Sequence, residues 1–168
     1  SHSHLPIRNQ PPTRKILGEL KNKIIKFKKP VHGILRRLAL VEKLHIPADG
    51  THMEIFFNEE DDIRTSKFLR SNGLHRKNYI YMNIGGSFDY KKWPIDKFIS
   101  LSKIVLDDTS LFIVLGGGPE DDNRAKLIKK NLSTERIILA TQLELKINCG
   151  IIKQSKILIS PDSGPMHI

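Results

Sequence analysis

The sequence predicts an α/β fold with a parallel, Rossmann-like sheet, and three observations support this prediction. From residue 79 onward, short apolar segments alternate with stretches long enough for helices of about 10–15 residues. Each apolar segment is followed by small or polar residues. Two prolines, Pro94 and Pro119, stand where helices should begin. Strands that alternate with helices in this way form right-handed βαβ units, so the strands lie parallel.

The regular part of the chain contains four predicted strands and three predicted helices. The strands cover 79–84, 111–115, 136–139 and 157–159, and the helices cover 94–106, 119–131 and 144–154. Because ligands of doubly wound sheets bind outside the carboxyl ends of the strands, the loops after these strands are the expected site. Glycine and serine in the first and fourth loops together favour a phosphate-bearing ligand, although each loop taken alone is better explained as a simple chain reversal.

The first part of the chain is less regular. Residues 1–12 contain three prolines, 13–29 have the composition of a basic helix, and 31–45 have the spacing of an amphipathic helix. The alternation of Met53, Ile55 and Phe57 predicts a short strand. A helix is then expected from Glu59, capped by Asn58 and ended by Asn72-Gly73.

The charge of the chain is concentrated at its beginning. The 168 residues carry a net charge of +10, and residues 1–37 hold ten Lys/Arg and one acid, Glu19. This basic arm is either a solvated leader or a segment that is attracted to an anionic partner. The anionic partner would be lipid headgroups or an acceptor. Nucleic acid is a weaker interpretation because Phe27 is the arm's single aromatic residue. The apolar runs are too short for a membrane span, and the single cysteine, Cys149, fits a cytoplasmic location.

Three motifs in order resemble glycosyltransferase family nine, which includes the ADP-heptose:lipopolysaccharide heptosyltransferases. The motifs run from Asn83 to Pro94, from Leu115 to Asp121, and from Ser160 to His167 with the pattern Asp-Ser-Gly-x-x-His. The resemblance covers about 31–168 and is most specific over 79–168. It implies one half of a GT-B glycosyltransferase, the half that binds the nucleotide sugar. Residues 1–30 are then a basic arm and 31–168 a partial donor domain, expected to be truncated at its C-terminus.

The resemblance implies an ADP-activated sugar as donor, with heptose expected, and an inverting transfer to the lipopolysaccharide core. No cofactor and no obligatory metal are implied, and the general base belongs to the other domain. The chain alone is therefore expected to be inactive and to lie in the cytoplasm or at the inner membrane. The alternative is a non-catalytic nucleotide- or phosphate-binding module.

The first motif is implied to bind phosphate. Ser87 hydrogen-bonds a phosphate oxygen, and Lys91 or Lys92 contacts the diphosphate, with the spacing to Trp93-Pro94 favouring Lys91. Lys92 is explained equally well as a solvated surface residue. Trp93 is expected to pack the helix start on the sheet.

The second and third loops are implied to hold the nucleoside. Gly117 lies beside the nucleotide, and Asp121, with Glu120 beside it, accepts hydrogen bonds from the ribose. Charge compensation at the helix N-terminus explains these acids equally well. Thr141, Gln142 and Leu143 border the adenine.

The fourth loop is implied to face the diphosphate. The backbone N–H groups of Ser163 and Gly164 meet it, whereas Asp162 would repel it and is expected to accept backbone hydrogen bonds or to orient His167. Other classes fit poorly, because the chain has no Walker A motif, no nucleophile elbow, no dinucleotide fingerprint and no metal-ligand spacing.

Overall fold

The computed structural model describes residues 31–86 and 88–167, in two compact units divided between His52 and Met53. In the first unit, helix α1 spans Gly33–Glu42, inside the predicted range of 31–45. The side chain of His32 accepts a hydrogen bond from the Ile34 N–H at 3.4 Å and caps this helix. The predicted arm of residues 1–30 lies outside the described residues. No helix in the described ranges is long and apolar enough to cross a membrane.

The second unit begins with an extended segment where a strand was predicted, and that prediction is wrong. Residues 53–58 have no strand hydrogen bonding, although Ile55 and Phe57 are half-buried. Phe56 between them is 76% exposed. Alternation alone predicts which side chains share a face, but a strand also needs a neighbour that accepts its backbone hydrogen bonds.

Helix α2, Glu59–Ser71, has the predicted start and stop. Asn58 Oδ1 accepts from the Asp61 N–H at 2.8 Å, and Asp61 Oδ2 accepts from the Asn58 N–H at 3.0 Å, which completes a capping box. The backbone hydrogen bond from Asn58 lowers the pKa of Asp61. Gly73, with φ of 66°, follows the helix in the left-handed region that glycine adopts without strain.

The rest of the second unit is a run of βαβ units, as predicted. Its regular elements are β1 Tyr79–Asn83, α3 Ile95–Asp108, β2 Phe112–Gly116, α4 Asp122–Leu132, β3 Ile137–Leu139, α5 Leu145–Gln154 and β4 Ile157–Ile159. Short 3₁₀ turns precede α3 and α4 and follow β4, at Asp89–Lys91, Pro119–Asp121 and Gly164–His167. The four described strands are all parallel, in the order β3-β2-β1-β4.

Strand β1 is central and buried on both faces, which explains its continuous apolar run. Ile80 and Met82 belong to a core cluster with Phe98 of α3, and Tyr79 and Tyr81 belong to a second cluster with residues of α2 and α5. The next strand along the chain, β2, lies on one side of β1, and β4 lies on the other. The loops after β1 and β4 therefore leave the sheet at a topological switch point, where doubly wound proteins form their crevice.

Candidate functional site

A cavity of about 340 Å³ opens at the carboxyl edge of the sheet. It is bordered by the end of β1, the loops after β1, β2, β3 and β4, and one side of α5. Its size is within the range of about 300–1,000 Å³ that is usual for small-molecule sites. Predicted site residues that line it are Gly117, Asp121, Leu143, Ser163 and Gly164.

The loop after β2 buries a carboxylate against the loop after β1. Asp121 is 1% exposed, and its Oδ2 accepts from the Gly118 N–H at 3.1 Å. A Cβ atom on Gly117 would lie 2.9 Å from this oxygen, and one on Gly85 would clash with it. These two glycines thus give room to a carboxylate of the protein itself, a role that the sequence did not predict.

Lys92 is the cation that faces this buried carboxylate. Its Nζ lies 3.3 Å from Asp121 Oδ1 and 3.3 Å from Asp89 Oδ1, and its side chain is 17% exposed. The hydrogen bond with Asp89 and then that with Asp121 raise the pKa of Lys92. Apart from this ion pair, Asp121 Oδ1 has no hydrogen-bond partner among the described residues. The carboxylate therefore retains an acceptor position beside the cavity.

Lys91 forms a second and more exposed ion pair. Its Nζ lies 3.2 Å from Asp162 Oδ2, with the two side chains 35% and 71% exposed. The sequence predicted that Asp162 accepts backbone hydrogen bonds or orients His167. In the structure, the carboxylate of Asp162 pairs with Lys91 instead. Exposed pairs of this kind contribute about 0–1 kcal/mol, so the pair is easily exchanged.

Asn83 joins the loops after β1 and β4. Its Nδ2 donates to Ser163 Oγ at 2.7 Å and to Ser160 Oγ at 3.1 Å. Its Oδ1 accepts from the Gly85 N–H at 3.4 Å. The sequence contained a signal for this residue, because Asn83 is a polar residue at the end of an apolar strand just before Gly85-Gly86, but no role was predicted for it.

The opposite end of the cavity is held by a buried tyrosine–asparagine contact. Tyr81 donates from its hydroxyl to Asn148 Oδ1 at 2.8 Å, and Asn148 Nδ2 donates to the carbonyls of Ala140 at 3.2 Å and Leu143 at 3.0 Å. Burial raises the pKa of Tyr81 well above its usual range and also raises that of Cys149, so both groups stay protonated. A side chain at Gly116 would clash with the Tyr81 hydroxyl. These contacts fix the backbone between β3 and α5.

Thr141 is turned away from the cavity. Its side chain is fully buried, and its Oγ1 donates to Asp122 Oδ1 at 2.7 Å. The ion pair with Lys126 and this hydrogen bond lower the pKa of Asp122. The hydroxyl of Thr141 therefore links the β3 loop to the start of α4.

The remaining predicted residues lie outside the lining of the cavity. Lys91, Lys92 and Asp162 form the ion pairs above, and His167 is exposed at the end of the last 3₁₀ turn. Ser87 lies outside the described residues. In the described ranges, no group of three or more His, Cys, Asp or Glu side chains is arranged to hold a metal ion. Glu120, expected beside Asp121, also lines the cavity. Sequence reasoning assigned no role to the lining residues Tyr81, Asn83, Leu145, Asn148, Cys149, Ile152 and Pro165.

The parallel sheet and its edge cavity define the chain as a doubly wound α/β domain of the ligand-binding type. Residues 18–168 match the family model for glycosyltransferase family 9 (heptosyltransferase). The chain belongs to this family, as its three motifs indicated. A comparison with curated proteins finds no match.

Solved structures of the same family have the same fold. The glycosyl transferase family 9 protein of Veillonella parvula is 24% identical with a TM-score of 0.73, over 86% of this chain and 42% of that chain. E. coli ADP-heptose lipopolysaccharide heptosyltransferase II is 25% identical with a TM-score of 0.56, over 80% of this chain and 40% of that chain. E. coli heptosyltransferase WaaC, in a structure with ADP-2-deoxy-2-fluoro heptose, is 19% identical with a TM-score of 0.60, over 87% and 44%. The chain thus spans less than half the length of these proteins.

Proposed function

We propose that this chain is the nucleotide-sugar-binding half of a heptosyltransferase-type glycosyltransferase and that its cavity binds an ADP-activated sugar, with heptose as the expected sugar. The observation that carries the proposal is the position of the cavity. It lies at the switch point between β1 and β4, in a chain that belongs to glycosyltransferase family 9. E. coli heptosyltransferase WaaC, which has been solved with ADP-2-deoxy-2-fluoro heptose, has the same fold.

The diphosphate is assigned to the end of the cavity between the loops after β1 and β4. Ser163 and Gly164 line this end, and no atom lies within 4 Å of where a Cβ atom on Gly164 would stand. Small residues allow backbone N–H groups to approach an anion. Lys91 is paired with the exposed Asp162, and it can exchange that partner for a phosphate at little cost.

The ribose is assigned to Asp121. Its carboxylate lines the cavity, and Oδ1 has acceptor capacity beyond the ion pair with Lys92. A ribose hydroxyl is a donor that fits such an oxygen, and a hydrogen bond to a charged acceptor contributes about 1.5–3 kcal/mol.

The base is assigned to the end formed by Leu143, Leu145 and Ile152, which offers apolar side chains. Asn148 beside them has its amide group committed to Tyr81 and to two backbone carbonyls. We therefore assign the distinction of adenine from other bases to the backbone groups of residues 141–144 that these hydrogen bonds leave unoccupied.

In the full reaction that we propose, the sugar is transferred with inversion to an acceptor of the lipopolysaccharide core. The general base comes from a second domain, and no metal is obligatory. The reaction takes place in the cytoplasm, where the basic residues of 1–37 attract the protein to anionic lipid or to the anionic acceptor. The names of the E. coli relatives and the family model support the donor and the acceptor class.

Isothermal titration calorimetry of the chain with ADP, UDP and GDP tests the donor assignment. We expect ADP to bind more tightly than UDP or GDP, because the three ligands share the diphosphate and differ in the base. Equal affinities would remove the adenine assignment while leaving the phosphate assignment in place. Absence of binding by all three would contradict the proposed function.

A further inference from the structure

Besides the exposed Lys91–Asp162 ion pair, the amide of Asn83 reaches both loops at the phosphate end of the cavity, and it does so from a buried position. The side chain is 2% exposed, at the last position of β1. Its Oδ1 faces the Gly85 N–H at 3.4 Å. Because a backbone N–H can only donate, Oδ1 must face the Gly85 N–H, and the NH₂ group must lie on the side of the β4-loop serines, where it also contacts the Gly85 carbonyl at 3.4 Å.

The amide NH₂ of Asn83 has two protons to donate, and these determine whether each serine hydroxyl acts as a donor or as an acceptor. The two shortest contacts of Nδ2 are with Ser163 Oγ at 2.7 Å and Ser160 Oγ at 3.1 Å, and a third contact, with the Gly85 carbonyl, is longer at 3.4 Å. We therefore direct one proton to each serine. Each hydroxyl thus accepts a hydrogen bond and must direct its own proton elsewhere. Ser160 donates to the Pro161 carbonyl at 2.8 Å.

The proton of Ser163 has only longer contacts. Its Oγ lies 3.3 Å from the Pro161 carbonyl, which already accepts from Ser160, and 3.1 Å from Ser160 Oγ. Ser163 also lines the cavity, whereas Ser160 does not. A phosphate oxygen in the cavity would be a charged and therefore stronger acceptor for this proton.

We propose that Asn83 is a positioning residue that makes the Ser163 hydroxyl a donor to the diphosphate of the nucleotide. This inference rests on the proposed function. By donating to Ser163 Oγ, Asn83 occupies the oxygen as an acceptor and leaves its O–H to point at the ligand. It also holds the β4 loop against the β1 loop through Gly85.

The test is a double-mutant cycle on the full chain, with the affinities for ADP and inorganic pyrophosphate as readout. Ser163→Ala should weaken ADP binding about tenfold, the effect of one hydrogen bond to a charged group. Asn83→Asp keeps the shape but cannot donate, so the Ser163 proton is drawn to the new carboxylate. In the Asn83→Asp background, Ser163→Ala should therefore cause no further loss.

Adenosine separates positioning from a general loss of structure, because it lacks phosphate. Its affinity should be the same for the wild type and for both variants. Independent, multiplicative losses of ADP affinity in the double variant would overturn the proposal, and so would a parallel loss of adenosine affinity. Asn131→Ala, at an exposed amide on α4 that donates to the Leu127 carbonyl, is the control.

If Asn83→Asp does not fold, Ser160→Ala and Ser163→Ala decide the question. Ser163→Ala should weaken pyrophosphate binding much more than Ser160→Ala, since only the Ser163 proton is left for the ligand. Equal losses would overturn the proposal. If the wild type binds neither ADP nor pyrophosphate, both the proposed function and this inference fail. If the wild type binds them but the effects of the Asn83 and Ser163 substitutions on affinity are not coupled, only this inference is overturned.

Discussion

The loops after β2 and β4 each bring an aspartate to the carboxyl edge of the sheet, and each aspartate pairs with a lysine of the β1 loop. Asp121 is buried between two glycines and faces Lys92. Asp162 is 71% exposed and faces Lys91. Neighbouring lysines in one motif thus have different surroundings.

The difference shows how burial separates a structural ion pair from an exchangeable one. A buried carboxylate that loses its cation is left with a large desolvation cost, whereas an exposed one is solvated by water. Lys92 is therefore expected to stabilise the fold, and Lys91 is the lysine available to a ligand. The predictions below test this contrast, from the largest expected effect to the smallest.

The largest effect is expected from removing the Lys92 charge. Lys92→Met should lower the free energy of unfolding by about 3 kcal/mol, the lower end for breaking a buried pair, because the lysine itself is partly exposed. Lys91→Met, the matched control, should cost less than about 1 kcal/mol. Urea unfolding of the two variants gives the comparison. Equal losses of unfolding free energy would show that the burial of Asp121 does not make its ion pair more important for stability than the exposed pair.

A smaller loss is expected from crowding the Asp121 carboxylate. Gly85→Ala should destabilise the fold by about 1–3 kcal/mol, because the new Cβ would clash with Asp121 Oδ2 and lie 3.3 Å from the Gly117 Cα. Gly164→Ala is the control, since no atom lies within 4 Å of where its Cβ atom would stand. Thermal unfolding of both variants tests this prediction. An unchanged melting temperature for Gly85→Ala would mean that the loop after β2 can move to accommodate the new Cβ atom.

The exposed pair of Lys91 and Asp162 should affect ligand binding rather than the stability of the fold. Lys91→Ala should weaken ADP binding by about 1.5 kcal/mol, the lower end for a charged hydrogen bond, because Lys91 must first leave Asp162. AMP should bind less tightly than ADP and should be less affected by the substitution. Calorimetric titration of both nucleotides measures these differences. If AMP and ADP bind equally and Lys91→Ala alters neither affinity, the phosphate assignment is wrong.

The smallest effect concerns Thr141, next to the β2 loop. Thr141→Val removes the hydrogen bond to Asp122, so the pKa of Asp122 should rise toward its ordinary value. A carboxyl pKa that is lower in the folded state stabilises the protein above the unfolded-state pKa, and this stabilisation is lost as the pH falls through the folded-state value. The variant should therefore be less stable at neutral pH, and the difference should shrink in acid.

NMR titration of Asp122 and unfolding at several pH values check this prediction. The ADP affinity of Thr141→Val distinguishes the buried hydroxyl seen here from the adenine contact implied by the family resemblance. A loss of ADP affinity without a change in the Asp122 pKa would favour the adenine contact.

Much of the fold was predictable because it depends on local patterns. The strands, the helices from Glu59 onward and the parallel arrangement follow from apolar runs, caps and glycines that act over a few residues. The strand predicted at Met53, Ile55 and Phe57 failed because a strand depends on a partner that alternation does not supply.

By itself, the sequence determined the fold class, the family, and the loops that form the site, since these follow from periodicity and from motifs at strand ends. Only the tertiary structure decided which side chains in those loops meet. The pairing of Lys92 with a buried Asp121, the turning of Thr141 toward Asp122 and the bridge from Asn83 to Ser163 join residues 19 to 80 positions apart. Such contacts depend on strand order and burial, which no spacing along the chain encodes.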